Sequence, residues 1–215
     1  KAKTAVLDYI RKFSVPVYDE TTGRGLIRHV VTKTGFHTGE VMVIIVAARR
    51  QIPHAEQLTG RLRKDIPGLK SVVLNVNAKS GNAVLGKENI TLFGRDTIED
   101  RLGNLIFEIS PLSFYQVNPV QTEVLYDKAI EYAALKGNET VFDLYCGIGT
   151  ISLFAARQAK RVIGVEAVPE AVEAAKRNAM RNHLGNTKFY AGKAEEIVPE
   201  LYARGIRADA VFVDP

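Results

Sequence analysis

The chain has 215 residues, of which 46% are hydrophobic and 25% charged, a composition typical of a globular protein with one large domain or two small ones. No run approaches the ~20 consecutive apolar residues of a membrane-spanning helix, and the single cysteine excludes both a disulfide within the chain and a zinc site built mainly on cysteine. These features predict a cytoplasmic protein without membrane partners.

The whole chain has a net charge of +5, and the excess of basic over acidic residues lies in its first half. Residues 1–118 contain 17 Lys and Arg against 11 Asp and Glu, whereas residues 119–215 contain 12 against 13. The basic half is either a solubilising surface or the side that faces a polyanion such as nucleic acid. The candidates for phosphate contacts are Arg49, Arg50, Arg61, Arg63, Lys64, Lys79 and Lys87. For any one of them, a solvated surface position is an equal alternative.

The first 110 residues mix helical and strand-like patterns. Helices are predicted over residues 5–13 and from Pro53 to Lys64. Runs rich in Val and Ile predict strands at residues 26–32, 41–48, 69–77, 84–93 and 105–109, with a polar loop at 95–101. Hairpins with a few helices indicate an α+β domain over residues 1–110.

From residue 111 onwards, helices and strands alternate. A helix is predicted from Pro119 to near Gly137. Predicted strands follow at 140–144, 161–166, 187–190 and 208–213, with helices at 150–158, 169–182 and 193–203. Near-continuous apolar strands joined by helices indicate a parallel, doubly wound α/β domain over residues 111–215. Because four strands would leave an apolar edge open, we expect the chain to be part of a longer protein.

A glycine loop follows the first of these strands, in the sequence Asp143-Leu144-Tyr145-Cys146-Gly147-Ile148-Gly149. Its glycines allow the backbone to approach a ligand closely, and the helix predicted from Thr150 presents unpaired N–H groups. Ser152 occupies the third glycine position of a dinucleotide fingerprint. Both a dinucleotide and S-adenosylmethionine fit this pattern, with the incomplete fingerprint favouring the latter.

Two further acidic residues follow strands of the same predicted sheet. Ligands of open α/β sheets bind outside the carboxyl ends of the strands. Glu166 ends the second strand, where a carboxylate can accept both hydroxyls of a ribose. Asp214-Pro215 ends the fourth strand, where many S-adenosylmethionine methyltransferases place an (Asp/Asn)-Pro-Pro-type turn. Asp143, by contrast, is expected to brace the glycine loop rather than to contact the ligand.

Upstream, the motif Phe114-Tyr115-Gln116-Val117-Asn118 directly precedes the helix at Pro119. Taken alone, this motif is equally well explained as a packed linker that ends in a helix cap. In order and spacing, this motif, the glycine loop, Val165-Glu166 and Asp214-Pro215 together resemble the RNA uracil-5-methyltransferase family, which makes 5-methyluridine in 23S ribosomal or transfer RNA. The segments Asn75-Val76-Asn77 and Asn82-Ala83-Val84-Leu85-Gly86 are similar to the central domain of that family.

The resemblance, which covers nearly the whole chain, implies an S-adenosylmethionine site and a partner RNA. It implies that Gln116 holds the amino-acid end of the cofactor and that Glu166 binds the ribose hydroxyls. Asp214 would lie beside the methionine portion and the incoming uracil. The pocket wall would be formed by Tyr145, Gly147, Gly149 and Thr150. It implies an α+β central domain followed by a truncated Rossmann-like methyltransferase domain.

The resemblance also implies a covalent reaction. A cysteine thiolate adds to carbon 6 of uracil, carbon 5 attacks the methyl of the sulfonium, a base removes the proton from carbon 5, and the thiolate is eliminated. In relatives this cysteine and the base, a glutamate, lie beyond the Asp-Pro motif. No catalytic residue is therefore expected within this chain, and an N-terminal RNA-binding domain is expected to be missing too. Cys146 is rejected as the nucleophile, since no His or Lys adjoins it in sequence.

The predicted function is methylation of uridine carbon 5 in RNA, with 23S ribosomal RNA favoured over transfer RNA. Two alternatives stay open: a nicotinamide-dependent oxidoreductase and a non-catalytic RNA-binding fragment. No metal site is predicted, because the four histidines show no metal-binding spacing: His29, His37, His54 and His183.

Overall fold

The computed structural model describes all 215 residues, and the chain divides into two compact units. The first comprises Lys1–Asp100 with Ser110–Leu112, and the second Arg101–Ile109 with Ser113–Pro215. Across both units, no helix combines the length and the apolar character needed to cross a membrane.

The first unit is built on a four-stranded sheet with two helices. Its helices are α1 (Ala2–Lys12) and α2 (Ala55–Asp65), and its strands β1 (Ile27–Thr34), β2 (Val41–Ala47), β3 (Leu69–Val76) and β4 (Glu88–Gly94). The strand order is β1-β2-β3-β4, with only the β2–β3 pair parallel. A parallel pair needs a crossover connection, which α2 provides. Leu58 and Leu62, one helical turn apart, bury the inner face of α2 in the core of this unit.

Two of the sequence predictions for this region are wrong. The strand predicted at 84–93 begins only at Glu88, and residues 77–87 form a loop instead. The region 95–101, predicted as a polar loop, contains most of β5 (Ile98–Leu102), which pairs with β6 (Leu105–Ile109). Every second residue of β5 is buried, but one of these is Asp100, so the apolar alternation that marks a strand is interrupted.

The division between the units differs from the predicted boundary after residue 110. Residues 101–109 group with the second unit. Phe107 is fully buried in the core of that unit. The side chains of Asn178 and Asn182 accept hydrogen bonds from the backbone of β6, at Glu108 and Ile106, each at 2.8 Å. These long-range contacts place the hairpin, and local sequence patterns do not reveal them.

The second unit contains a parallel sheet with helices on both faces. Its helices are α3 (Pro119–Ala133), α4 (Thr150–Ala156), α5 (Pro169–Arg181) and α6 (Ala194–Ala203), and its strands β7 (Thr140–Leu144), β8 (Arg161–Glu166), β9 (Thr187–Ala191) and β10 (Ala210–Val213). The strand order is β10-β7-β8-β9. Val141 belongs to one buried cluster and its neighbour Phe142 to another. Because successive residues face opposite sides of a sheet, continuous apolar strands are needed to bury both faces. The predicted α/β class is confirmed.

Candidate functional site

The carboxyl ends of three strands of the second unit meet at one edge of its sheet. Leu144 at the end of β7 pairs with Val165 on β8 and with Val213 on β10. The glycine loop, Glu166 and Asp214 directly follow these positions. They line a common cavity of about 370 Å³, which is within the size range of small-molecule sites.

Six of the seven predicted cofactor-binding residues line this cavity: Gln116, Tyr145, Gly147, Thr150, Glu166 and Asp214. The seventh, Gly149, is not among the lining residues. The structure thus brings together residues that are separated by up to about a hundred positions in the chain. Their contact with a cofactor stays a prediction.

The two glycines of the loop are required for different reasons. Both adopt left-handed backbone conformations, with φ of 54° at Gly147 and 86° at Gly149. A Cβ on Gly147 would meet no atom within 4 Å, and Gly147 is among the residues that line the cavity. A Cβ on Gly149 would lie 3.2 Å from both Ala175 Cβ and Leu153 Cδ1. Gly149 therefore permits close packing of the loop on the protein, whereas Gly147 faces the cavity.

Glu166 connects the end of β8 to the glycine loop. Its carboxylate accepts hydrogen bonds from the backbone N–H of Gly147 at 3.0 Å and from that of Val168 at 2.8 Å. Each carboxylate oxygen has two lone pairs, so each retains capacity to accept a bond from a ligand hydroxyl. The geometry suits a carboxylate that both positions the loop and receives a diol.

Asp143, at the start of the glycine loop, is linked to α4 by a hydrogen bond. It is 1% exposed, and its carboxylate accepts a hydrogen bond from the hydroxyl of Ser152. Burial raises the pKa of Asp143 to about 7, although the hydrogen bonds from Ser152 oppose this shift. Ser152, which interrupts the dinucleotide fingerprint, thus serves as the partner of a buried acid. This contact agrees with the bracing expected for Asp143, although Asp143 is also among the residues that line the cavity.

Tyr145 lies at the side of the cavity that α6 approaches. Its backbone φ of 65° is in the left-handed region, which is uncommon for a side chain of this size. Its hydroxyl donates a hydrogen bond to Glu195 Oε1 at 3.0 Å. This bond to a carboxylate raises the pKa of the Tyr145 hydroxyl. The contact holds the ring, which is 37% exposed, at the cavity wall.

Tyr126 is a lining residue that sequence reasoning missed. It lies on α3 with 2% of its surface exposed, and its hydroxyl is 3.0 Å from Thr150 Oγ1. The amide of Gln116 also interacts with this hydroxyl, and burial raises the pKa of Tyr126. Tyr126 follows Pro119 by two helical turns, so it lies on the same helix face. That spacing was the available signal, but it is equally typical of an ordinary core tyrosine.

The upstream aromatic-amide motif is divided between several roles. Asn118 is the N-cap of α3, and its side chain accepts a hydrogen bond from the backbone N–H of Gln121. Tyr115 packs against Phe107, with ring centroids 6.3 Å apart. Phe114 is 74% exposed yet lines the cavity together with Gln116. The linker-and-cap interpretation is therefore correct for part of the motif only.

Cys146 has the environment of a packing residue. It is 6% exposed, and burial strongly raises the pKa of its thiol. A Cβ at Gly164 would lie only 2.8 Å from the sulfur, which shows how closely the thiol is packed. Thiolates are the reactive form of cysteine, so this environment disfavours a nucleophilic role. No group of three or more His, Cys, Asp and Glu side chains is placed to hold a metal ion.

Comparison with known proteins identifies a methyltransferase-like sequence. Residues 135–214 match a family model described as a methyltransferase domain. The chain is 54% identical to an uncharacterized RNA methyltransferase of Caldanaerobacter subterraneus subsp. tengcongensis, over 100% of this chain and 48% of that protein. It is 52% identical to an uncharacterized RNA methyltransferase of Clostridium tetani, over 97% of this chain and 45% of that protein. The chain thus spans about half the length of these relatives.

Among solved structures, the chain is similar to the Pyrococcus abyssi tRNA (uracil-54, C5)-methyltransferase, whose crystal structure is a complex with S-adenosyl-L-homocysteine. The TM-score is 0.78 at 25% sequence identity, and the match covers 99% of this chain and 49% of that chain. The fold of this chain is therefore that of a Rossmann-like α/β methyltransferase, as the sequence predicted.

Proposed function

We propose that the protein to which this chain belongs is an RNA uracil-5-methyltransferase, and that the second unit contains its cofactor-binding site. The observation that best supports this is the single cavity in which Gln116, Glu166 and Asp214 meet around the glycine loop. The similarity to a tRNA uracil methyltransferase and to proteins named RNA methyltransferases supports the substrate class. The preference for 23S ribosomal over transfer RNA derives from the sequence resemblance.

The cavity suits S-adenosylmethionine, which supplies an electrophilic methyl group on a sulfonium. Gly147 leaves the wall free of a side chain, so backbone can approach the ligand. Glu166 offers acceptors for the ribose hydroxyls, and Gln116 offers an amide for the amino-acid end. The residues present therefore match a ligand with a diol and a zwitterionic tail.

The roles of the remaining residues follow from charge and position. Asp214 places a carboxylate at the cavity, suited to a cationic ligand group and to a polar edge of the uracil. Tyr126 positions Gln116 and Thr150 through its hydroxyl. The burial of Cys146 makes it unsuitable for addition to carbon 6. We therefore propose that the nucleophilic cysteine and the base glutamate come from residues outside these 215.

Isothermal titration calorimetry of the 215-residue chain tests the cofactor assignment. We expect saturable binding of S-adenosylhomocysteine with one site per chain and no binding of NADH. Binding of NADH without S-adenosylhomocysteine would instead support a nicotinamide-dependent oxidoreductase and would overturn the proposal.

Transfer of labelled methyl groups to a uridine-containing RNA tests the second part. We expect the 215-residue chain to bind the cofactor but to transfer no label to uridine carbon 5. Transfer by this chain alone would show that the nucleophile lies within it, contrary to the proposal.

A further inference from the structure

One loop of the first unit is longer than its connection requires. β3 and β4 are antiparallel neighbours, and Val76 pairs directly with Glu88. Two residues are enough to join such strands, yet residues 77–87 lie between them. Residues 78–84 are all exposed and form the outer part, here called the 78–84 loop. Long, shaped surface loops of this kind are often functional.

Two buried asparagines hold the base of the 78–84 loop. Asn77 donates from Nδ2 to the carbonyl oxygens of Ala83 at 2.6 Å and Val84 at 3.2 Å. Asn75 donates to the Gly86 carbonyl at 2.9 Å and accepts from the Gly86 N–H at 2.7 Å. Asn75 is 0% exposed and Asn77 4% exposed. Burying an amide costs free energy unless these bonds are made, so both side chains depend on the loop being in place.

A buried arginine holds the other side of the loop. The side chain of Arg28 is 1% exposed, and its Nη1 donates to the carbonyl oxygens of Asn77 at 2.8 Å and Lys79 at 2.7 Å. Its other donors bond both carboxylate oxygens of Glu20, at 3.0 Å and 2.7 Å, and the guanidinium lies over the ring of Tyr18. Arginine is buried in this way only when it is fully paired. Here the pairing determines the path of the loop.

The outer part of the loop is therefore positioned from within while it faces solvent. Gly81, near its tip, has a φ of 123° and no atom within 4 Å of where a Cβ would stand. A loop that is shaped before binding loses less conformational entropy when a partner docks. This arrangement is expected of a recognition element rather than of a simple connection.

Exposed cations surround the loop. β2 and β3 run parallel with Ala47 paired to Val76, so the residues that follow these strands emerge at the same edge of the sheet. Arg49 follows β2, and Lys79 and Lys87 lie within the β3–β4 connection. All three are exposed, and none forms an ion pair in the structure.

Three of the other candidate phosphate contacts are already engaged. Arg50 pairs with Glu88 at 2.8 Å, and Arg61 pairs with Asp65 on α2. The guanidinium of Arg63 lies over the ring of Phe93, 4.5 Å from the ring centroid. Of the seven candidates, the exposed cations without an ion pair are Lys64 on α2 and three at the edge that carries the 78–84 loop: Arg49, Lys79 and Lys87.

We propose that the 78–84 loop, together with Arg49 and Lys87, docks the phosphate backbone of a single-stranded segment of the substrate RNA. This proposal rests on the proposed function, which makes RNA the substrate. Lys79 supplies charge, while the hydroxyl, amide and backbone N–H groups of the tip donate to phosphate and sugar oxygens. A flexible single strand can adapt to a pre-shaped loop, and the target uridine must be unstacked to be modified.

Charge reversal with a matched control tests this docking. Lys79→Glu is compared with Lys70→Glu, which alters an exposed lysine at the opposite end of β3. The probe is a fluorescein-labelled RNA hairpin with a uridine-rich loop, followed by fluorescence anisotropy between 50 and 200 mM salt. We expect Lys79→Glu to weaken binding roughly tenfold at low salt and to reduce the slope of log K against log salt by about 0.7. Lys70→Glu is expected to change the affinity by less than about twofold.

A second variant tests whether the shape of the loop matters. Asn77→Ala removes the bonds to Ala83 and Val84 but no charge. We expect weaker RNA binding with an unchanged salt slope, because the phosphate contacts remain while the loop is less ordered. Circular dichroism checks that each variant is folded. If Asn77→Ala proves unstable, Lys79→Glu still tests the docking, because it changes only an exposed side chain.

The outcomes separate this proposal from the proposed function. Equal effects of Lys79→Glu and Lys70→Glu refute docking on the loop, and binding of S-adenosylhomocysteine by the same samples would leave the cofactor assignment intact. Unchanged RNA affinity in Lys79→Glu would indicate that the loop serves a different partner, such as a protein, and would also refute docking. A chain that binds the cofactor but no RNA overturns the docking proposal together with the RNA part of the proposed function.

Discussion

The carboxylate of Glu166 accepts a hydrogen bond from the backbone N–H of Gly147, 19 residues earlier in the chain, at 3.0 Å. This bond joins the carboxyl ends of two adjacent parallel strands, where ligands of open α/β sheets bind. Any change at Glu166 is therefore expected to act on both the loop and the ligand.

Glu166→Gln is expected to weaken cofactor binding without unfolding the chain. Glutamine retains one acceptor oxygen but replaces the other with an amide donor, so one of the two backbone N–H groups loses its partner. In the proposed ribose role, a ligand hydroxyl also loses its charged acceptor; a hydrogen bond to a charged group contributes about 1.5–3 kcal/mol, which corresponds to a loss of roughly ten- to a hundredfold in affinity. Calorimetry with S-adenosylhomocysteine measures the loss.

The matched control for this change is Glu173→Gln on α5. Glu173 pairs with Lys176 at 2.7 Å on an exposed face and does not line the cavity. Exposed pairs of this kind contribute little, so affinity should stay within about twofold of the wild-type value. Equal affinities for the Glu166 and Glu173 variants would exclude the ribose role of Glu166.

Alanine substitutions at the two loop glycines are expected to affect different properties. Gly149→Ala places a methyl group against Ala175 and Leu153 and strains a left-handed residue, so the free energy of unfolding should fall by about 1–3 kcal/mol. Gly147→Ala meets no protein atom but adds a methyl group at a residue that lines the cavity. It should cost about 1 kcal/mol of stability and should weaken cofactor binding more strongly.

Chemical denaturation and calorimetry on both variants separate these effects. The assignment of Gly147 to the cavity wall fails if Gly147→Ala binds S-adenosylhomocysteine as tightly as the wild type does.

The stability of the second unit is expected to fall as pH rises from about 4 to about 7. Burial raises the pKa of Asp143 to about 7, while the pKa of an aspartate in the unfolded chain is about 3.9. Between these values the native state retains a proton that the unfolded state has released, so the free energy of unfolding decreases with rising pH. Ionisation of this buried group costs the native state up to roughly 4 kcal/mol above pH 7.

Asp143→Asn tests this dependence, because asparagine carries no charge and still offers an oxygen to the hydroxyl of Ser152. Unfolding midpoints are compared at pH 5 and pH 8 for both proteins. The wild type should lose stability relative to the variant between these values. A constant difference would show that Asp143 does not titrate in this range.

Cys146 is expected to be unreactive in the folded chain. Its burial and its raised thiol pKa leave little thiolate at pH 8. Reaction with a disulfide reagent such as DTNB should therefore be slow in buffer and fast in guanidinium chloride. Cys146→Ala should retain S-adenosylhomocysteine binding, since the thiol acts through packing. Rapid native-state labelling, or loss of cofactor binding in the variant, would contradict this role.

Local sequence patterns were sufficient for most of the second unit. Its strands are short apolar runs and its helices begin at Pro119, Thr150 and Pro169, so element positions follow from periodicity and turn chemistry alone. Parallel topology then places the residues after each strand at one edge of the sheet. This is why Glu166 and Asp214 could be assigned to the crevice in advance.

Other features depend on contacts between distant segments. The strand Ile98–Leu102 was missed because its central residue is the buried Asp100, and residues 101–109 group with the second unit through bonds to Asn178 and Asn182. Periodicity reports only which residues prefer burial, whereas these placements depend on the partners that bury them.

The glycine loop shows the same division. The sequence by itself determined that a strand, a Gly-x-Gly turn and a helix adjoin a nucleotide-type site. Only the tertiary structure decided that Gly147 faces the cavity and Gly149 the protein, and that Tyr126 reaches Thr150. The physical reason is that backbone conformation is local, while the free space around a Cβ and the partner of a hydroxyl are set by segments far away in the chain.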